Sequence, residues 1–214
     1  MSVNHHLDDA TILRYAAGDM HEAFAVVVAS HLAMCSVCRK AVRAAEEAGG
    51  ALIEAVEAAP LADDAFERMM AAMDAGPPTE RIKAPVAGDM PVPLRRYAGA
   101  LLADVAWKFA APGVRKAVLP LETEGATLFM LSIAPGRVVP EHSHGGAEMT
   151  LVLSGAYCDR FGRFDVGDIA DHDEDVEHQP MVDGEERCIC VVATEAPTQF
   201  KGLMGRLLQP LVGI

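Results

Sequence analysis

The chain has 214 residues, 51% hydrophobic and 23% charged but only 5% aromatic, which excludes a disordered or fibrous protein and leaves room for one ordinary domain plus a smaller companion. A formal net charge of −13, spread over both halves, speaks against direct nucleic-acid binding, which needs Lys and Arg to displace counterions from phosphates; it suits a basic protein partner. The start MSVNHHLDD lacks the basic and apolar runs of a signal peptide, and the most apolar stretch, Ala23 to Cys35, is too short for a bilayer core of roughly 30 Å, so a cytoplasmic protein without membrane association is expected.

From the N-terminus, the segments Asp8–Ala17, Met20–His31, Cys35–Val56 and Leu61–Ala75 are rich in Ala, Leu, Met and Glu and read as helices. Breaks are expected at Gly18, at Gly49-Gly50 and at Pro60, with Asp63 or Asp64 capping the last helix. From Gly76 to Pro93 five prolines and two glycines replace any apolar periodicity, as in a linker. Beyond it, Arg115–Leu119, Thr127–Ile133, Glu148–Leu153, Ala156–Asp159 and Arg187–Ala193 are short apolar runs between turn signals, which predicts strands. The expected architecture is therefore α plus all-β in two domains: a small helical unit over residues 1–76, a linker over 77–93 and a β domain over 94–214.

His31, Cys35 and Cys38 stand at i, i+4 and i+7, which would place them on one face of a helix. A structural Zn²⁺ site needs four N or S ligands, so a fourth must come from elsewhere, and His5 and His6 are the candidates. In a reducing compartment such thiols serve as metal ligands more often than as disulfides, and a small helical unit has a thermodynamic use for a metal staple. The pattern His6-x24-His31-x3-Cys35-x2-Cys38 resembles that of zinc-binding anti-sigma factors. The resemblance implies that His6 is the fourth ligand and that the helical domain sequesters an extracytoplasmic-function sigma factor.

In the second half, Gly136, His142, His144, Glu148 and Gly155 form a dense set of metal-capable side chains between turn glycines. His142 and His144 project from one strand face, Glu148 can return to it across a turn, and His178 follows on a neighbouring strand. Such a set suits Zn²⁺, Mn²⁺, Fe²⁺ or Ni²⁺, and ligand type alone does not choose among them; Zn²⁺ is the expected ion. This spacing resembles the first motif of the cupin family at every Gly, His and Glu position, and implies a C-terminal cupin β-barrel. In the second motif Gly167 and His178 match, but Asp173 and Asp175 stand where the family usually has Pro and Gly. The acidic run Asp171–Glu177 reads as a solvated loop. Cys188 and Cys190 alternate along one strand and so share a face, either as buried small hydrophobes or as a redox pair.

Zinc helices, linker and cupin in this order resemble the ChrR-type family of anti-sigma factors, which responds to singlet oxygen and related peroxides. The resemblance implies a non-enzymatic regulator that binds one sigma factor per chain and releases it on an oxidative signal. The alternative is a metal-dependent cupin enzyme, a dioxygenase or isomerase, with the helices serving oligomerisation.

Overall fold

Asp8 starts the first helix by accepting a hydrogen bond from the Thr11 amide at 2.6 Å, and α1 (Asp9–Ala16) ends before Gly18 turns the chain at φ +72°. Helix α2 (Glu22–Met34) is apolar around its whole circumference, which marks a helix enclosed by protein. Helix α3 (Ser36–Glu54) buries only Cys38 and Val42, and α4 (Ala65–Asp74) buries nothing. Contrary to the expected break, α3 runs through Gly49 and Gly50; each glycine costs a helix about 1 kcal/mol, which weakens it without ending it. Asp64 takes the N-cap position of α4, but its side chain makes no capping bond. The computed structural model describes residues 3–76 and 87–200. Most of the expected linker, residues 77–86, and the chain end, 201–214, lie outside the described residues.

The chain re-enters with two 3₁₀ turns, Val92–Leu94 and Leu102–Asp104, flanking the short α5 (Arg95–Ala98). The strands are β1 (Lys108–Ala111), β2 (Val114–Leu119), β3 (Thr127–Ile133), β4 (His142–Ser143), β5 (Glu148–Ser154) and β6 (Ala156–Asp159), then β7 (Gly162–Phe164), β8 (Ile169–His172), β9 (Glu177–His178), β10 (Met181–Asp183), β11 (Cys188–Thr194) and β12 (Gln199–Phe200). They pair antiparallel in a large sheet, β1-β2-β3-β11-β5-β8, and two small ones, β10-β6-β7 and β12-β4-β9. Register sets the candidate site: His142 lies opposite His178, and Glu148 opposite His172. His172 is therefore a buried strand residue, where the acidic run reads as a solvated loop; its backbone is held by pairing with β5.

Helices and barrel share their core. Val27 and Val28 of α2 belong to one hydrophobic cluster with Leu128, Met130, Leu151 and Val191 of the large sheet. Met90 and Leu94, at 1% and 0% exposure, join it, so packing begins inside the segment that reads as a linker. Full burial of each such side chain contributes about 1.5–3 kcal/mol, which makes this seam a substantial part of the fold's stability. Among the described residues no single helix is long and apolar enough to cross a membrane; α2 and α3 qualify only as a pair, and they are bent by 119°.

Candidate functional site

The first cluster forms at the corner between α2 and α3. His31 sits in the last turn of α2, Cys35 is extended (φ −108°, ψ 112°), and Cys38 lies in the first turn of α3. The Cys35 Sγ accepts a bond from the Cys38 amide at 3.4 Å and so caps α3. The three side chains consequently do not share the face of one helix, as their spacing suggests; the chain bends at Cys35, because its thiol gives the new helix a cap. His6 arrives on the extended N-terminal segment, its Nδ1 3.3 Å from Cys35 Sγ and 3.6 Å from Cys38 Sγ. His5 faces the barrel instead, stacked 4.0 Å from Phe164 with Nε2 3.0 Å from the Arg163 carbonyl.

The donor atoms of His6, His31, Cys35 and Cys38 all lie within 4.8 Å of one another, and a tetrahedral Zn²⁺ with bonds of about 2.0–2.3 Å asks for separations of roughly 3.5 Å. His31 donates Nδ1–H to the Gly167 carbonyl at 2.9 Å, which leaves Nε2 buried without a hydrogen-bond partner. Burial lowers the His31 pKa to about 4, so the ring is neutral and its lone pair free at pH 7. Burial pushes the Cys38 thiol up to about 11, so without a cation beside it this thiol stays protonated. The donor chemistry and the orphaned nitrogen both fit a bound zinc.

The barrel supplies the clamp on His6. Asp168 is fully buried; its Oδ1 accepts from the amides of Asn4 at 2.6 Å and His5 at 3.0 Å, and its Oδ2 from Asp165 N at 2.9 Å. Sequence reasoning misses Asp168, whose one local signal is its place beside the motif glycine Gly167. Gly167 has φ +94°, and a Cβ there would stand 3.0 Å from Val3, so glycine permits the N-terminal segment to lie close.

In the second cluster His142, His144, Glu148 and His178 bring their donor atoms within 4.8 Å of one another, all four residues buried. His142 donates Nδ1–H to the Pro140 carbonyl at 2.9 Å and His178 donates Nδ1–H to Asp159 Oδ2 at 2.9 Å. Both Nε2 atoms then carry lone pairs, yet they face each other at 3.0 Å, an arrangement that suits a shared cation. His144 Nδ1 is 3.2 Å from Glu148 Oε2 but poorly aligned for a hydrogen bond, so both its ring nitrogens are left without one. Burial raises the Glu148 pKa, but the rings of His144, His142 and His178 outweigh it and hold the carboxyl ionised. Burial, reinforced by His178, lowers the His142 pKa to about 4. A carboxylate and three imidazoles are an ordinary divalent transition-metal donor set.

His142, Glu148 and His178 open onto an apolar cavity of about 70 Å³ inside the barrel, lined also by Tyr157, Cys188 and Cys190. The Tyr157 hydroxyl is buried there without a partner. A hydrogen bond with Cys188, then burial, raise the Cys190 pKa, so Cys190 is a thiol rather than a thiolate at neutral pH.

A cupin-type barrel bearing a three-histidine, one-carboxylate cluster, joined to a helical His₂Cys₂ corner, defines a two-unit protein with two clusters that could each hold a metal ion. The family described as the ChrR cupin-like domain matches residues 98–197. Over its whole length the chain is 40% identical to the anti-sigma-E factor ChrR of Cereibacter sphaeroides, with 100% of each sequence covered. The crystal structure of Rhodobacter sphaeroides SigE in complex with the anti-sigma ChrR matches with a TM-score of 0.79 at 39% identity, over 90% of this chain and 100% of that one. The chain belongs to the ChrR family of anti-sigma factors.

Proposed function

We propose that this protein is a cytoplasmic anti-sigma factor that holds one extracytoplasmic-function sigma factor through residues 1–76 and lets it go when the cupin unit, residues 94–214, registers an oxidative signal such as singlet oxygen or a peroxide. It acts as a regulator and not as a metal-dependent dioxygenase or isomerase. Besides the family relationship, one observation carries this reading. Helix α4 buries nothing, yet Phe66, Met69, Met70 and Met73 recur along it with helical spacing at 66%, 53%, 40% and 67% exposure. Leu52, Ile53 and Val56 at the end of α3 are exposed as well. An apolar stripe at i, i+3, i+4 and i+7 without a partner among the described residues is the form in which a helix docks into another protein's groove, and methionines let such a surface adapt.

The His6, His31, Cys35 and Cys38 set suits Zn²⁺, which when bound supplies folding free energy by tying the N-terminal segment to the α2–α3 corner. For the His142, His144, Glu148 and His178 set, Zn²⁺ is again first, with Mn²⁺, Fe²⁺ and Ni²⁺ compatible. Cys188 and Cys190 at the same cavity are the candidate redox pair.

Replacing Phe66 and Met73 by Asp in the full chain tests the reading. Both side chains face solvent, so Tm should hardly move, while loss of anchors worth about 2 kcal/mol should weaken sigma binding about 30-fold or more. Unchanged affinity in a pull-down titration with the sigma factor encoded beside it would exclude α4 as the docking surface.

A further inference from the structure

The ring of His178 separates two spaces. On its inner side is the barrel cavity onto which His142 and Glu148 open; on its outer side is a surface cleft of about 440 Å³ lined in part by Cys158, Asp159 and Glu177. His178 Nε2 meets His142 at 3.0 Å on the inner side, and Nδ1 meets Asp159 Oδ2 at 2.9 Å on the outer. The Asp159 side chain is fully enclosed.

His172 stands beside this pair, its ring 4.9 Å from that of His178 and nearly perpendicular to it, with Phe161 5.2 Å away. The residue is only 8% exposed, and its Nε2 is buried without a hydrogen-bond partner. A buried polar atom left unpaired calls for an explanation, such as an ion it is built to meet. One donor atom each from Asp159, His172 and His178 falls within a 4.8 Å group.

We propose that Asp159, His172 and His178 form a second divalent-cation site, which captures a cation from the cleft and loads it into the inner cluster. Two imidazoles and a carboxylate select a transition cation such as Zn²⁺ or Co²⁺ over Mg²⁺ or Ca²⁺, which prefer all-oxygen shells. A neutral imidazole has one lone-pair nitrogen, so His178 serves one site at a time. With a cation on the outer side the ring proton sits on Nε2, where His142 Nε2 at 3.0 Å accepts it; with a cation on the inner side it sits on Nδ1, where Asp159 accepts it. Each tautomer has a partner already in place, and as the cation passes from the outer to the inner side the ring gives up its Nε2 proton and takes one at Nδ1. His172 has no part in the inner cluster, so its substitution isolates the outer site.

Equilibrium dialysis of the full-length chain against Zn²⁺ tests this. With the inner cluster disabled by His142→Ala and Glu148→Gln, that double variant should bind one zinc per chain more than the same variant carrying His172→Asn. Taking the difference cancels any zinc at the helical corner. Equal stoichiometries would overturn the site. A second measurement keeps the inner ligands intact: metal-stripped wild type and His172→Asn are mixed with Co²⁺ and uptake is followed by its visible absorption. The variant should fill to the same final occupancy, but about tenfold more slowly, in line with what a supporting ligand contributes to a metal site. Equal rates would overturn the loading role.

Discussion

His31 donates its Nδ1–H to the carbonyl of Gly167 at 2.9 Å, joining a candidate zinc ligand of the helices to the glycine that opens the second motif of the barrel. Two residues further on, Ile169 begins β8, whose last residue, His172, lies opposite Glu148 of the barrel cluster. A short stretch of backbone thus runs from the partner of one metal-capable cluster to a strand paired with the other.

The first prediction concerns this bridge. Gly167→Ala would place a Cβ 3.0 Å from Val3 at φ +94°, in a conformation that costs a non-glycine residue about 1–2 kcal/mol. The Val3 side chain must give way, and relief of the strained φ at residue 167 itself shifts the carbonyl that orients His31. Zinc should leave the helical corner faster in a competition with a chromophoric chelator, and Tm should fall by about 2–8 °C, at about 2–4 °C per kcal/mol for a chain of this size. An unchanged zinc off-rate would show that the bridge does not act on the corner.

The second prediction addresses the corner itself. Cys35→Ser or Cys38→Ser replaces a thiolate donor with a poor zinc ligand, and Cys35→Ser also alters the cap on α3. Each variant should lose one zinc per chain and most of its affinity for the sigma factor, because a metal held at this corner would supply folding free energy. Full metal content in either variant, read by elemental analysis, would remove these residues from the ligand set.

A third prediction follows from the shared core. Residues 1–85 alone should still inhibit sigma-dependent transcription, because α4 and the zinc corner both lie within them. Without the sheet, however, Val27 and Val28 lose their cover, so the fragment should bind an apolar dye and melt well below the full chain. If truncation abolished inhibition while zinc stayed bound, the barrel would be part of the docking surface.

Much of this site was legible in the chain because metal ligands leave spacing behind. The barrel motif places His142 on β4, His144 just past its end and Glu148 at the start of β5, and extended-chain periodicity alone puts the two histidines on one face. What spacing does not encode is the pairing of distant strands. His172 looks like part of an acidic loop until its pairing opposite Glu148 is known, and Asp159 becomes relevant only when β9 brings His178 to it. The same holds for Asp168, which clamps a segment more than 160 residues away in sequence. The bend at Cys35 was hidden for a different reason: i, i+4, i+7 spacing is common to one continuous helix and to a corner between two, and the thiol cap that decides between them is a local side-chain contact.

The last prediction is that the barrel cluster serves release and not capture, so that replacing His142, His144, Glu148 or His178 by Ala yields a repressor that no longer lets go. A signal can relieve inhibition only by altering the free-energy difference between the bound and released states. The barrel cavity holds the means for such a change: Cys188 and Cys190 line it beside His142, Glu148 and His178, and a hydroperoxide entering it can oxidise a thiol to a sulfenic acid while itself becoming the alcohol. The hydrogen bond with Cys188, reinforced by burial, keeps Cys190 protonated and slows this reaction in the resting state, which suits a centre meant to stay silent until its surroundings change. Removing one ligand uncouples that cluster, while α4 and the His6, His31, Cys35 and Cys38 corner remain as they were. Output from a sigma-dependent reporter should then be low before oxidant and stay low after it, with the helical zinc retained. Constitutively high output would mean that the barrel cluster holds the inhibitory state together, and a normal response to oxidant would take the cluster out of the release mechanism.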